Sequence, residues 1–171
     1  KFANSGIVVE INVDKDIPKY DQFGPLKGLE YQKNLERLAF TAGGRTQTAP
    51  AQRLVDFVDG KLSTNLNETS YQPGLNSSPM HSLLPKKIGS RLRKGFDAFG
   101  KKMHGYYTNE ANIVGVESRT SSPVNIPRKE NLEHPEIKGL FPCGEGGGYA
   151  GGIVSAAMDG ERCAEAAIQL L

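Results

Sequence analysis

The run from residue 139 to 152, Gly-Leu-Phe-Pro-Cys-Gly-Glu-Gly-Gly-Gly-Tyr-Ala-Gly-Gly, constrains this chain more than any other stretch. Six of the nine residues from 144 to 152 are glycine, which leaves backbone N–H groups unshielded by side chains. Residues 139–143 predict a short strand, and the small and apolar residues of 152–170 predict a helix. Strand, glycine loop and helix in that order gather orphan N–H groups at the positive end of a helix dipole, which favours anionic or strongly accepting ligand atoms. The same pattern also fits a tight strand-to-helix turn with close packing. Gly146, Gly148 and Gly151 satisfy G-x-G-x-x-G, but one helix then closes the chain, with no second strand to carry the acidic residue the motif needs. The run is therefore not a dinucleotide fingerprint. Without Gly-Lys-Ser/Thr it is not a phosphate-binding P-loop either.

Upstream, Ile7, Val9, Ile11 and Val13 alternate with Val8, Glu10 and Asn12, predicting a half-buried edge strand. Pro18, Gly24 and Pro25 mark residues 15–27 as a connection. Tyr31, Leu35, Leu38, Ala39 and Ala42 share one face of a helix that stops at Gly43-Gly44. A second helix is expected to start near Thr48, with Pro50 in its first turn, Ala51, Leu54, Val55 and Val58 inward, and Gly60 at its end. Residues 61–84 lack any period and read as one long loop. Ile88, Leu92, Phe96, Phe99 and Met103 form a third helical stripe. Residues 113–119 read as a strand leading into Thr120-Ser121-Ser122-Pro123, a turn-prone run.

No apolar run reaches the 18 or so residues a membrane span needs. Cys143 and Cys163 form neither a disulfide framework nor a CxxC pair, so a reducing cytoplasm is the expected compartment. His81, His104 and His134 lack metal-ligand spacing, and no metal site is expected. The net charge is +2, but residues 85–104 hold seven Lys/Arg against one Asp. That stretch fits an amphipathic helix with a solvated basic face; the alternative is a module that binds nucleic acid or an acidic partner. Lys1-Phe2-Ala3-Asn4 has no initiator Met, so the chain reads as the C-terminal part of a longer one.

Three ordered stretches carry a resemblance: APAQRLVDF at 49–57, GVESRTSSPVNIPR at 115–128, and GLFPCGEGGGYAGGIVSAAMDGERCAE at 139–165. Together they resemble the bacterial family of uncharacterised FAD-dependent dehydrogenases, also called NAD(FAD)-utilising dehydrogenases, within the glutathione-reductase-like flavoproteins. The resemblance covers nearly all the chain and is weakest over 61–94. It implies an α/β fold: an α+β substrate or cap region over 1–108, and over 109–171 the strand–loop–helix C-terminal part of an FAD/NAD(P)-binding domain. The N-terminal G-x-G-x-x-G unit of such a domain is absent, so the implied partner is a missing N-terminal FAD-binding domain of the same chain.

By that resemblance the cofactor is FAD, with NAD(P)H as a candidate electron donor and an unknown small molecule as substrate. Gly144, Glu145 and Gly146 match the flavin-contacting loop, with Glu145 accepting from the ribityl or phosphate part of FAD. Gly151, Gly152 and Ile153 match the helix start that faces the flavin ring, where positive potential stabilises the reduced, anionic flavin. Gly146-Gly147-Gly148 stands where the family usually has Gly-Ala-Gly. Thr120, Ser121 and Ser122 fall beside the isoalloxazine. Glu117 and Arg119, next to them, are the candidate catalytic pair, and no further catalytic residue can be assigned. Cys143 and Cys163 read as packing residues.

Overall fold

The computed structural model describes residues 2–119 and 121–170. Its elements are α1 (Val13–Asp16), a 3-10 segment Pro18–Leu26, α2 (Lys27–Ala42), β1 (Ala49–Arg53), α3 (Leu54–Asp59), β2 (Leu75–Ser77), α4 (Met80–Leu83), α5 (Lys86–Lys102), β3 (Asn112–Val114) and α6 (Ile153–Ile168). Helices and one small mixed sheet make the fold α/β. The chain divides into two compact units. Unit 1 comprises Lys1–Asn12 and Lys33–Glu117; unit 2 comprises Val13–Gln32 and Ser118–Leu171.

Unit 1 is built around β1, which pairs parallel with β2 and antiparallel with β3. The stretch expected to open a helix near Thr48 is therefore the central strand, and the helix starts only at Leu54. Pro50 explains the shift, since proline drives the residue before it towards extended backbone. Pro50 keeps a place in the ladder through its carbonyl, which accepts the Gly115 N–H at 3.2 Å. Beneath the sheet lie Leu54, Phe57, Met80, Leu84 and Phe96. The basic helix α5 contributes Phe96, edge-on to Phe57 at 6.0 Å, and its Ile88, Leu92 and Phe99 pack on the same cluster. The expected stripe is thus real, except that Met103 lies past the helix end and is 45% exposed.

Three further expectations are corrected. Residues 7–12 form no strand: Ile7, Val9 and Ile11 are half-buried while Val8, Glu10 and Asn12 are exposed, but no strand pairs with them. The alternation records which side faces the core, and Arg91 takes the Glu10 carbonyl at 2.8 Å. The supposed loop over 61–84 contains β2 and α4, elements too short for periodicity to reveal. The strand expected over 113–119 is the shorter β3.

Unit 2 has little apolar core. Ile17 is buried, Tyr20 and Tyr31 meet edge to face at 5.4 Å, and Lys27 bridges Asp14 and Asp21. Gln32 donates to the Ser118 carbonyl at 2.8 Å. Helix α6 is inside out: Asp159 and Cys163 are buried, whereas Ile153, Val154, Met158 and Ile168 are each more than half exposed. Residues 139–143 are not a strand but an irregular approach to the glycine loop. Among the described residues no helix is long and apolar enough to cross a membrane.

Candidate functional site

The glycine loop is a pair of turns. The Gly148 N–H donates to the Glu145 carbonyl and the Tyr149 N–H to the Gly144 carbonyl, both at 3.0 Å. Gly148 has φ +85°, and a Cβ there would sit 2.8 Å from the Val124 carbonyl oxygen and 2.9 Å from Asn125 Nδ2. Glycine is therefore required twice over at this position, by backbone sign and by close approach. Residues 124–126 form a strap along one side of the loop. The Ile126 N–H donates to the Gly147 carbonyl at 3.1 Å, Asn125 Nδ2 to the Gly148 carbonyl at 3.2 Å, and the Tyr149 hydroxyl to the Ile126 carbonyl at 2.8 Å.

From behind, the loop is anchored by an ion pair. Arg128 meets Asp159 of α6 through two contacts, Nη1 to Oδ2 at 2.9 Å and Nη2 to Oδ1 at 2.8 Å. Asp159 Oδ2 also accepts the Gly144 N–H at 2.9 Å. Arg128 Nη1 reaches the Pro142 carbonyl at 2.9 Å and Cys163 Sγ at 3.3 Å, and its guanidinium lies 3.6 Å from the centre of the Tyr149 ring. Two parallel charge-assisted contacts suit the planar guanidinium fork. The hydrogen bond from Arg128, then that from Gly144, holds the Asp159 carboxyl down at about 2. Asp159 in turn raises Arg128 above its ordinary value, and burial pushes the Cys163 thiol up.

The opposite edge of the loop is open. Glu145 and Gly146 are exposed, as are Gly151, Gly152 and Ile153, the last 93% exposed. The Gly152 N–H is capped by Ser155 Oγ at 3.1 Å, and that hydroxyl donates back to the Gly152 carbonyl at 3.0 Å. The first intrahelical bond runs from Ala156 to Gly152, so the N–H groups of Ile153, Val154 and Ser155 stand ahead of the helical ladder. The edge combines one carboxylate acceptor, bare glycine backbone and a helix start. It is shaped to accept hydroxyls at Glu145 and to donate to an accepting or anionic ligand edge at α6.

The residues singled out by sequence have unequal fates here. Gly144 is buried and its N–H is committed to Asp159. Ser122 donates to the Val124 carbonyl at 2.7 Å, a local turn bond, whereas Ser121 is exposed. Thr120 lies outside the described residues. Glu117 belongs to unit 1 and Arg119 to unit 2, and both are exposed. Cys143 is exposed and Cys163 buried. Among the described residues no group of His, Cys, Asp and Glu gathers as a metal site would require. Sequence reasoning missed Arg128, Tyr149 and Asp159. The available signal was Asp159 itself, a carboxylate amid the small residues of α6.

Comparison with known proteins adds two findings. The family described as FAD-dependent protein, C-terminal domain-like, matches residues 1–120. An uncharacterized protein of Clostridium beijerinckii is 40% identical over 169 residues, which make up 98% of this chain and 31% of the relative. The chain thus spans about a third of that relative's length.

Proposed function

Because this chain belongs to the FAD-dependent protein, C-terminal domain-like family, we propose that it forms the C-terminal part of an FAD-dependent oxidoreductase and contributes one wall of the flavin site. The carrying observation is the two-sidedness of the glycine loop. On its inner side the Gly144 N–H is taken by Asp159 and the Gly147 and Gly148 carbonyls by the strap, while the Glu145 side chain, Gly146, Gly151, Gly152 and Ile153 line an exposed edge that neither anchor uses. Those residues fit FAD: Glu145 accepts from the ribityl or phosphate region, and the start of α6 faces the ring. Ser121 and Ser122 are assigned to the adjoining wall; Thr120 precedes them in the same run of sequence. Bound FAD supplies hydride or electron transfer, and the protein holds and orients it.

The outward apolar face of α6 supports the same reading. Ile153, Val154 and Met158 are exposed together over the first turns of α6, apolar surface of the sort that soluble proteins bury against a partner. We assign that role to an N-terminal FAD-binding domain of a longer chain, consistent with the relative's greater length. On this reading residues 1–108 serve as the substrate or cap region and 109–171 as the returning part of the FAD domain. The chain alone is inactive, NAD(P)H is the candidate donor, and Glu117 and Arg119 are candidate catalytic groups for an unknown small-molecule substrate. The test is a visible absorption spectrum of the full-length protein beside that of this chain after incubation with FAD. Flavin in the full-length protein alone supports a split site. Flavin in neither, after reconstitution, removes the assignment.

A further inference from the structure

Unit 1 carries a second polar cluster that the flavin reading does not use. Gln52, in the central strand, is fully buried. Its Nε2 donates to the Lys61 carbonyl and lies 2.8 Å from His81 Nδ1, while its Oε1 accepts the His81 backbone N–H at 3.1 Å. Oε1 is farther from Nδ1, at 3.3 Å. The shorter contact makes Nδ1 the acceptor and places the ring proton on Nε2. Gln52 therefore presents a neutral imidazole with its donor turned away from the strand.

Next to it stands Arg93 of α5, half-buried, its guanidinium 5.9 Å from the centre of the Phe57 ring. Arg93 Nε is buried and has no hydrogen-bond partner among the described residues. The carboxylates of Asp56, Asp59 and Asp97 are engaged elsewhere, by the Ser63 hydroxyl, Lys61 and Lys101. Arg93 and His81 both border Gly60: a Cβ there would lie 3.6 Å from Arg93 Nη2 and 3.9 Å from His81 Cδ2. Around the Gly60 backbone, bare of a side chain, a cation therefore stands on one side and an imidazole edge on the other. A half-buried guanidinium without a carboxylate calls for an explanation, and an oxyanion supplies it through charge-assisted hydrogen bonds.

We propose that Arg93, His81 and Gly60 form a binding site for a single small oxyanion, the carboxylate or phosphate group of a small molecule. The guanidinium supplies charge and direction, His81 Nε2–H a second donor, and Gly60 a backbone edge that both groups border. This site stands on unit 1 alone and does not depend on where FAD binds.

The test follows the His81 ring C–H proton resonances of this chain by NMR during titration with inorganic phosphate and, separately, with acetate. His81→Gln assigns the signals among the three histidines. A saturable shift is expected with at least one anion: phosphate alone marks a phosphate site, acetate alone a carboxylate site, and both a general oxyanion site. Arg93→Gln should weaken it by at least about tenfold, the loss of one charge-assisted pair. Arg93→Lys keeps the fold and the charge but not the fork, and should fall between. Lys86→Gln removes the same charge from the surface and should change nothing. No saturable shift with either anion, or equal weakening in Lys86→Gln and Arg93→Gln, overturns the proposal.

Discussion

Arg128 and Asp159 are joined by two parallel contacts at 2.9 and 2.8 Å, with side chains only 9% and 5% exposed. This pair ties three pieces of chain together, because Asp159 also holds the Gly144 N–H and Arg128 also holds the Pro142 carbonyl. Removing one partner strands a buried charge. Asp159→Ala should therefore destabilise unit 2 by about 3–5 kcal/mol. Replacing both residues by apolar ones of similar size should recover part of that loss, because no charge is then left unpaired. Urea unfolding of the single and double variants checks both statements.

The same pair sets an acid limit. Asp159 is held at about 2 in the folded chain against an ordinary 3.8. A depressed carboxyl gives stability that is fully present above the unfolded value and fades as pH falls towards the folded one. The Asp159 contribution should thus be intact at pH 5 and lost progressively between about 4 and 2. Unfolding midpoints measured across that range should fall more steeply for the native chain than for Asp159→Asn. Equal slopes would show that other carboxylates govern acid unfolding.

Much of unit 1 was legible in sequence because apolar side chains recurred at helical spacing. The stripe of α5, that of α2 apart from the exposed Leu38, and the glycine stop at Gly60 follow from such spacing. Strands β1 and β2 were hidden for a physical reason. They span five and three residues, too few for alternation to register, and their pairing is set by distant partners. The outer edge of the glycine loop was readable from composition. Its anchor was not, since Arg128 and Asp159 lie 31 residues apart and only folding brings them together.

Two glycines two residues apart in the loop offer a contrast. Gly148 has positive φ and no room for a Cβ, whereas nothing lies within 4 Å of a Cβ placed on Gly146. Gly148→Ala should cost about 1–3 kcal/mol, from backbone strain and displacement of the strap. Gly146→Ala should leave the unfolding midpoint almost unchanged. Thermal melts of the two variants side by side give the comparison.

His81 makes unit 1 sensitive to mild acid. Burial, and then the Arg93 charge, lower its proton affinity below the ordinary 6.5. Protonation would also set a Nδ1–H against the Gln52 amide, which donates to that nitrogen. The unfolded chain therefore binds the proton more readily, and stability must rise with pH through this window. The contribution should be present above about 6.5 and decline as pH drops below it. His81→Gln should flatten that part of the profile. A profile between pH 7 and 5 that is identical in native and variant chains would contradict the assignment.

The flavin reading makes its sharpest prediction at Glu145. This carboxylate is exposed on the open edge of the loop and takes no part in the anchoring contacts. Its removal should therefore cost the fold little, and any effect on flavin would come from the lost acceptor. In the full-length protein, Glu145→Ala should lower retained FAD by about tenfold or more, as expected when hydroxyl or phosphate-region contacts lose a charged partner. Glu145→Gln should be milder, because the amide oxygen still accepts. Asp159→Ala should also reduce retained flavin, but with a lowered unfolding midpoint, since it acts by releasing the loop. Absorbance ratios and melts on the same preparations separate the two effects. Full flavin retention in Glu145→Ala would move the cofactor contact to the start of α6, where Gly151, Gly152 and Ile153 offer backbone alone.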